Sequence, residues 1–355
     1  MQVHGLLATR IVRRGAFAFS RGCADELLLA ARMIRRGVLP GNAHDSAARI
    51  VRRSTLYCRL RRLPHCPALR CAAHRTMFYR LLSRLPLGVL YVLSRMFFWL
   101  LRVVFRYRRA VVRDNLRRAF PDVPAARIRQ LSARFYRELA DVAAETVKLA
   151  SLGAQDVRRR VRLDNPEILD EAGGDRPVLL LSAHFGNWEW LLQSCMLSLG
   201  WPMFAVHKPQ RLGAGAFIHG VRARFGAVPV RHREVGREVV RQRHRRCLFA
   251  VIADQEPKGA RNACWTPLFG RPTAFSSEVA RLAAMFRTPV FFVAAERCGR
   301  GFYRARFERL GVARKGKEDE FIRAYAAAVE RCIQRRPQAW LWSHRRWKHA
   351  PPDGV

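Results

Sequence analysis

"PVLLLSAHFGNWEW", residues 177–190, decides how this chain folds. Seven residues from Pro177 to Ala183 carry no charge and do not alternate in polarity. A strand of that kind is covered on both faces, as in a parallel sheet flanked by helices. The run stops at His184, Gly186-Asn187 can turn the backbone, and Asn187 suits a helix N-cap. Strand, glycine turn and helix in that order make one unit of an α/β sheet. Such sheets gather ligands at the carboxyl ends of their strands.

The same alternation continues along the chain. Apolar strands are predicted at 203–207, 227–231, 247–253 and 289–296, and 301–309 alternates as an edge strand would. Helices are predicted at 108–120, 124–151, 187–199, 211–225, 234–245, 276–287 and 317–336. "FPDVP" breaks the first pair, with Asp122 or Pro124 suited to opening the second. The expected fold class is α/β, a largely parallel sheet flanked by helices.

Residues 85–105 are almost wholly apolar and long enough to cross a bilayer, but Arg95 and Arg102 interrupt them. On one continuous helix, Arg84, Arg95, Arg102, Arg106, Arg109 and Arg113 would fall within about 60° of one another. Three readings fit. The helix lies in the membrane interface with its arginines on lipid phosphates, it spans with snorkelling arginines, or it is a buried helix of a soluble protein. Either membrane reading puts the basic remainder in the cytoplasm.

The first 76 residues differ from the rest, with fifteen arginines, no lysine and three acids. No helical or strand period persists in them. We expect Met77 to open the true chain; an Arg-rich transit peptide is the alternative. The expected organisation is an atypical extension at 1–76, an anchor helix region at 77–107 and the main domain at 108–355. Charge does not depend on the extension. The whole chain is +39, and removing 1–76 leaves +27 (39 − 12). Such a balance favours anionic lipid, nucleic acid or an acidic protein as partner. Nine scattered cysteines with no CxxC pair read as reduced and mostly buried, and no zinc spacing occurs.

His184 and Glu189 stand five apart at the strand end. Across the turn, a carboxylate on one ring nitrogen fixes the tautomer and stabilises the imidazolium. The other nitrogen is then free to take a proton from a hydroxyl. Spacing alone is weak evidence: eleven histidines and 27 acids in 355 residues yield about one such pair by chance. A packed, satisfied histidine is the competing reading.

Four blocks add to the pair: "RRAVVRDNLRRAFPD" (108–122), "HFGNWE" (184–189), "ADQEPKGARNACWTPLFGRPTAF" (253–275) and "WLWSHRRWKHAPPDG" (340–354). "HFGNWE" resembles the H-x4-D/E motif of the glycerolipid and lipid A acyltransferase superfamily. From Met77 onward the chain resembles, more narrowly, the late (lauroyl/myristoyl) acyltransferases of lipid A biosynthesis. The resemblance implies a glycerolipid-acyltransferase-like fold behind an N-terminal anchoring helix, on the cytoplasmic face of the inner membrane. It implies His184 as general base and Glu189 as its orienting partner. The implied donor is acyl carrier protein, the acceptor is a hydroxyl of a lipid A precursor, and neither metal nor bound cofactor is needed.

Asp254 and Gln255 match the family's D-Q block, with a supporting role at the pocket or, for Asp254, a loop cap. Asn187 joins the candidate substrate-binding set. Lys208 stands where the family commonly has an arginine before proline, keeping the charge without the bidentate fork. Arg222 and Arg224 are candidate phosphate contacts or a solvated helix face. Arg345 and Arg346, set among three tryptophans, suit a headgroup-level surface or the wall of a lipid site. The alternatives are an acyltransferase on a lysophospholipid or glycolipid, and a non-catalytic basic membrane- or nucleic-acid-binding protein. A nucleic-acid role would leave the apolar segment and the strand-end pair unexplained.

Overall fold

The computed structural model describes residues 77–349 apart from 173, 208–213, 258–262 and 288. The expected boundary at 1–76 therefore lies outside the described residues. A seven-stranded mixed sheet forms the centre, in the order β1-β9-β8-β2-β5-β3-β4. Its members are β1 (Val161–Leu163), β2 (Pro177–Ser182), β3 (Met203–His207), β4 (Val228–Arg231), β5 (Cys247–Ile252), β8 (Pro289–Gly299) and β9 (Phe302–Val312). All neighbours are parallel except β8 and β9, which form an antiparallel pair. The fold is α/β, as the strand pattern predicts.

β2 is central because both of its faces are apolar. Leu179 and Leu181 enter the core on one side, with Phe249 and Phe292. Val178 and Leu180 enter the other, with Leu248 and Phe291. Each such side chain contributes about 1.5–3 kcal/mol on full burial, so a polar residue at any of these four positions would be costly. From β2 the chain builds β3 and β4 on one side, inserts β5 between β2 and β3, and then adds β8 on β2's other side. That reversal leaves a crevice at the carboxyl end of β2.

The helices are α1 (Leu87–Trp99), α2 (Arg109–Ala119), α3 (Ala125–Lys148), α4 (Ala154–Arg160), α5 (Trp188–Leu199), α6 (Ala214–Arg222), α7 (Val235–Arg241), α8 (Ser277–Phe286) and α9 (Glu318–Arg335). Pro124 is the N-cap of α3, and Ile128, Leu131, Phe135 and Val142 bury one stripe of it.

Three details correct the sequence reading. First, β9 is not the outermost strand; the short β1 pairs with it from Tyr303 to Ala305. Second, β6 (Ala263–Leu268) and β7 (Arg271–Ser276) form a separate hairpin that apolar periodicity did not reveal. Its turn residues Phe269 and Gly270 both have positive φ, and the Phe269 amide is held by Glu330 at 2.8 Å. Third, the single arginine stripe does not exist. Pro86 precedes α1, a π-helical turn occupies Leu100–Val104, and Arg106 and Arg108 adopt left-handed backbone conformations. Each interruption resets the helical phase, so Arg84 and Arg109 share no helix with Arg95. Leu87–Val104 remains apolar and long enough to cross a membrane, with a mean hydropathy of 1.7.

Candidate active site

The parallel register of β2 and β5 builds the site. Ser182 lies opposite Ile252, and the Ala253 amide donates to the Ser182 carbonyl at 3.1 Å. Two residues further along each strand bring His184 and Asp254 together. His184 Nδ1 lies 2.6 Å from Asp254 Oδ1. A carboxylate only accepts, so Nδ1 carries the hydrogen, and in the neutral ring Nε2 is the nitrogen with the lone pair. The His184 backbone amide donates to Asp254 Oδ2 at 2.9 Å, and the Trp340 indole donates to the same oxygen at 2.8 Å. Burial would raise the Asp254 pKa, but the His184 charge and these hydrogen bonds outweigh it and hold it at about 2. Asp254 is an anion fixed in place against an imidazole.

Glu189 does not fill the expected position. Its carboxylate accepts from Arg222 Nε at 2.8 Å and Nη2 at 2.5 Å, and from the Trp188 indole at 3.2 Å. The reason is local. Asn187 accepts from the Trp190 amide at 3.0 Å and so opens α5, which points Glu189 along the helix toward α6. The Trp188 ring lies edge-on to His184, with centroids 5.1 Å apart. Glu189 and Arg222 therefore hold the wall beside the imidazole rather than the imidazole itself.

Gly186 makes the turn possible. Its φ is +59°, and a Cβ there would come within 1.8 Å of the Ala295 carbonyl oxygen on β8. The Gly186 amide donates to the Ala339 carbonyl at 3.0 Å, and the Leu341 amide donates to the His184 carbonyl at 3.0 Å. The C-terminal segment thus clamps the histidine loop and delivers Trp340 to Asp254.

Several candidate substrate contacts prove structural. Asn187 is fully buried; its amide nitrogen donates to Glu145 and its oxygen caps α5, so neither end is free for a ligand. Arg224 donates through Nη1 to the Leu149 carbonyl at 2.6 Å and to that of Leu152, closing the end of α3. Arg346 is 1% exposed, donates to the Asp254 carbonyl and stacks 4.2 Å above the Phe275 ring. It braces Asp254 from behind. Lys208 lies outside the described residues.

Two candidates do face open space. The exposed Gln255 places its amide nitrogen 3.4 Å from His184 Nε2. Arg345 lines a cleft of about 390 Å³ with Asp114, Arg118, Trp347 and Lys348. Beside it, Asn115 holds the carbonyls of Trp342 and His344, and His344 Nε2 accepts from the Glu256 amide at 3.3 Å. Burial and the Arg346 charge lower the His344 pKa to about 4, so this ring is neutral.

Sequence reading gave no sign of a buried carboxylate beneath the turn. Glu145 of α3 is fully buried and accepts from Tyr91 at 2.8 Å, Tyr303 at 2.6 Å and Asn187 at 2.8 Å. Its own carbonyl accepts from the Trp190 indole at 2.8 Å. Burial raises its pKa against the pull of those donors. Glu145 is hidden because α3 reads as an ordinary amphipathic helix, and only the docking of α1, α5 and β9 gives this residue partners.

A family model described as "Bacterial lipid A biosynthesis acyltransferase" matches residues 70–349, so the chain belongs to that family and is an acyltransferase. Among solved structures, the 1-acyl-sn-glycerophosphate (LPA) acyltransferase PlsC from Thermotoga maritima is similar at 14% sequence identity. That likeness covers 72% of this chain and 100% of that chain, with a TM-score of 0.33. No curated protein matches.

Proposed function

We propose that the protein moves a fatty acyl chain from an acyl carrier protein thioester to a hydroxyl of a lipid A precursor, on the cytoplasmic face of the inner membrane of a Gram-negative bacterium. The observation that carries this reading is the 2.6 Å contact between His184 Nδ1 and Asp254, which leaves Nε2 as a base at the strand end. The acceptor hydroxyl gives its proton to Nε2 as its oxygen attacks the thioester carbonyl carbon. The resulting tetrahedral oxyanion collapses, the C–S bond breaks, and the leaving thiolate takes the proton back from the imidazolium. Asp254 stabilises that imidazolium and keeps Nδ1 protonated throughout. The orienting role thus belongs to Asp254, while Glu189 and Arg222 support Trp188 against the ring. This step uses neither metal nor bound cofactor.

The net charge suits the acidic surface of acyl carrier protein and the phosphates of the acceptor. Arg118, Arg345 and Lys348 in the open cleft are the residues we assign to a phosphate. The test is a mass spectrum of lipid A from a strain lacking the protein. A missing secondary acyl chain, restored by the wild-type gene and not by His184→Ala, is the expected result. Unchanged lipid A would move the acceptor to another lipid, such as a lysophospholipid or glycolipid.

A further inference from the structure

The polar face of α1 and the helix it docks on decide how this protein meets a bilayer. α1 lies antiparallel along α3 through a ladder of contacts. The Ser83 carbonyl accepts from Lys148 Nζ at 3.0 Å and from Ser151 Oγ at 2.5 Å. Tyr91 donates to Glu145 at 2.8 Å, and Ser94 donates to Asp141 at 2.7 Å. Farther along, the Arg137 guanidinium stands 5.8 Å over the Phe98 ring. Arg300 closes the side, donating to Asp141, the Tyr91 carbonyl and Ser94 while stacking 4.0 Å over the Tyr91 ring. Arg297 donates to the same carboxylate at 2.9 Å.

Residues 83–98 thus run against residues 151–137, about 22 Å of shared axis at 1.5 Å per residue. A bilayer that enclosed α1 along its axis would enclose this stretch of α3 with it. Asp141, Glu145, Lys148, Arg297 and Arg300 would then lie at hydrocarbon depth, and the exposed Arg137 would meet lipid. Were α1 to leave α3 and span alone, Glu145 and Asp141 would lose Tyr91 and Ser94. The first arrangement draws charged groups of the catalytic domain to hydrocarbon depth, and the second strips Glu145 and Asp141 of partners they hold in the fold.

The outer face of α1 has the opposite character. Val92, Met96, Phe97 and Trp99 are exposed, as are Val104 and Phe105 of the turn that follows. Arg95 on the same helix is exposed, as are Arg84 just before it and Arg106 just after the turn. An apolar strip accompanied by these arginines fits the surface of a bilayer bearing anionic headgroups, with apolar side chains among the acyl chains and guanidinium groups on phosphate. We propose that α1 lies in the plane of one leaflet as a monotopic anchor, so that both of its ends stay on the side of the catalytic domain. This rests on the membrane as the enzyme's working surface, proposed above. Glu145 bonds to Tyr91 on the anchor and to Asn187 at the cap of α5, so it also fixes the height of His184 over the leaflet.

The test uses the full-length protein in cells, with one epitope inserted directly after Met77 and another at the C-terminus. With an in-plane helix, protease leaves both epitopes intact in spheroplasts and removes both in inverted membrane vesicles. An upstream epitope cut from the outer face while the C-terminal one survives would overturn the proposal in favour of a spanning helix. A second measurement uses the purified full-length protein and vesicles of phosphatidylglycerol or phosphatidylcholine. Binding should favour the anionic vesicles, and the double variant Met96→Glu, Phe97→Glu should sediment with them about tenfold less. Its acyl transfer to a detergent-dispersed acceptor should match wild type. Undiminished sedimentation of that variant, with a shift from dimer to monomer on sizing, would assign the strip to a second copy and defeat the proposal. Loss of wild-type transfer with the topology intact would count against the acyltransferase mechanism and not against the anchor.

Discussion

Asp254 and Glu189 are both buried carboxylates near His184, and each is paired with a base. Asp254 is 70 residues away in sequence yet holds the imidazole at 2.6 Å. Glu189 is five residues away yet holds Arg222, on a different helix. The difference comes from backbone geometry. Parallel strands in register place equivalent positions opposite one another, whereas the first turn of a helix carries its side chains away from the preceding strand end. Proximity in the sequence was a poor guide here, and proximity across the sheet a good one.

Four predictions probe that contrast. His184→Ala should reduce acyl transfer most, by about 10²–10⁴-fold in kcat, with far-UV circular dichroism unchanged. Near-normal turnover in that variant would remove the base from the mechanism and make the comparison of its partners irrelevant. Asp254→Asn should follow, with a loss of about 10²-fold or more, because the amide keeps the shape but not the charge that favours imidazolium.

Glu189→Gln should cost about tenfold, chiefly by leaving the partly buried Arg222 beside a neutral group. Pairing it with Arg222→Met should recover part of that loss, which a double-mutant cycle on kcat would measure. If Glu189→Gln were instead more damaging than Asp254→Asn, the roles assigned to the two carboxylates would be reversed.

The smallest effect is on stability and concerns pH. The His344 pKa falls from 6.5 to about 4 on folding, so the unfolded chain binds a proton that the folded protein refuses between those values. Stability should therefore decrease as pH falls from about 6.5 to about 4, and the His344 contribution is constant above that window. His344→Gln should remove this step, worth about 2 kcal/mol once solvent screening of the partly exposed ring is allowed for. Asp254 acts lower, where its folded value of about 2 lies below the ordinary 3.8. Its stabilisation is complete above about 4 and disappears as pH falls toward 2. Thermal melts across both windows would separate the two steps, and an unchanged profile in His344→Gln would refute the first.

Much of the fold was legible in the residues. β2 could be read from its unbroken apolar run, α5 from Gly186-Asn187, and α3 from Pro124 and its apolar stripe. These are local signals, carried by contacts within a turn or by the periodicity of one element. The β6–β7 hairpin escaped because its turn, Phe269-Gly270, depends on Glu330 of a distant helix. The arginine stripe failed because a helical wheel assumes one unbroken helix, and Pro86 with the left-handed Arg106 and Arg108 breaks it twice.

By itself the sequence determined that a buried strand ends on His184, that a helix follows at once, and that Asp254 terminates another apolar strand. It also determined the family, through four blocks in order. Tertiary structure alone decided that β5 lies beside β2, and so which carboxylate meets the imidazole. It also decided that Asn187, Arg224 and Arg346 serve the fold. Finally, it decided that α1 shows apolar residues on one side and a buried ladder of charge on the other. The reason is common to all of these. Apolar periodicity is a property of one segment, whereas the partner of a polar side chain depends on which segments the sheet order and helix docking bring together.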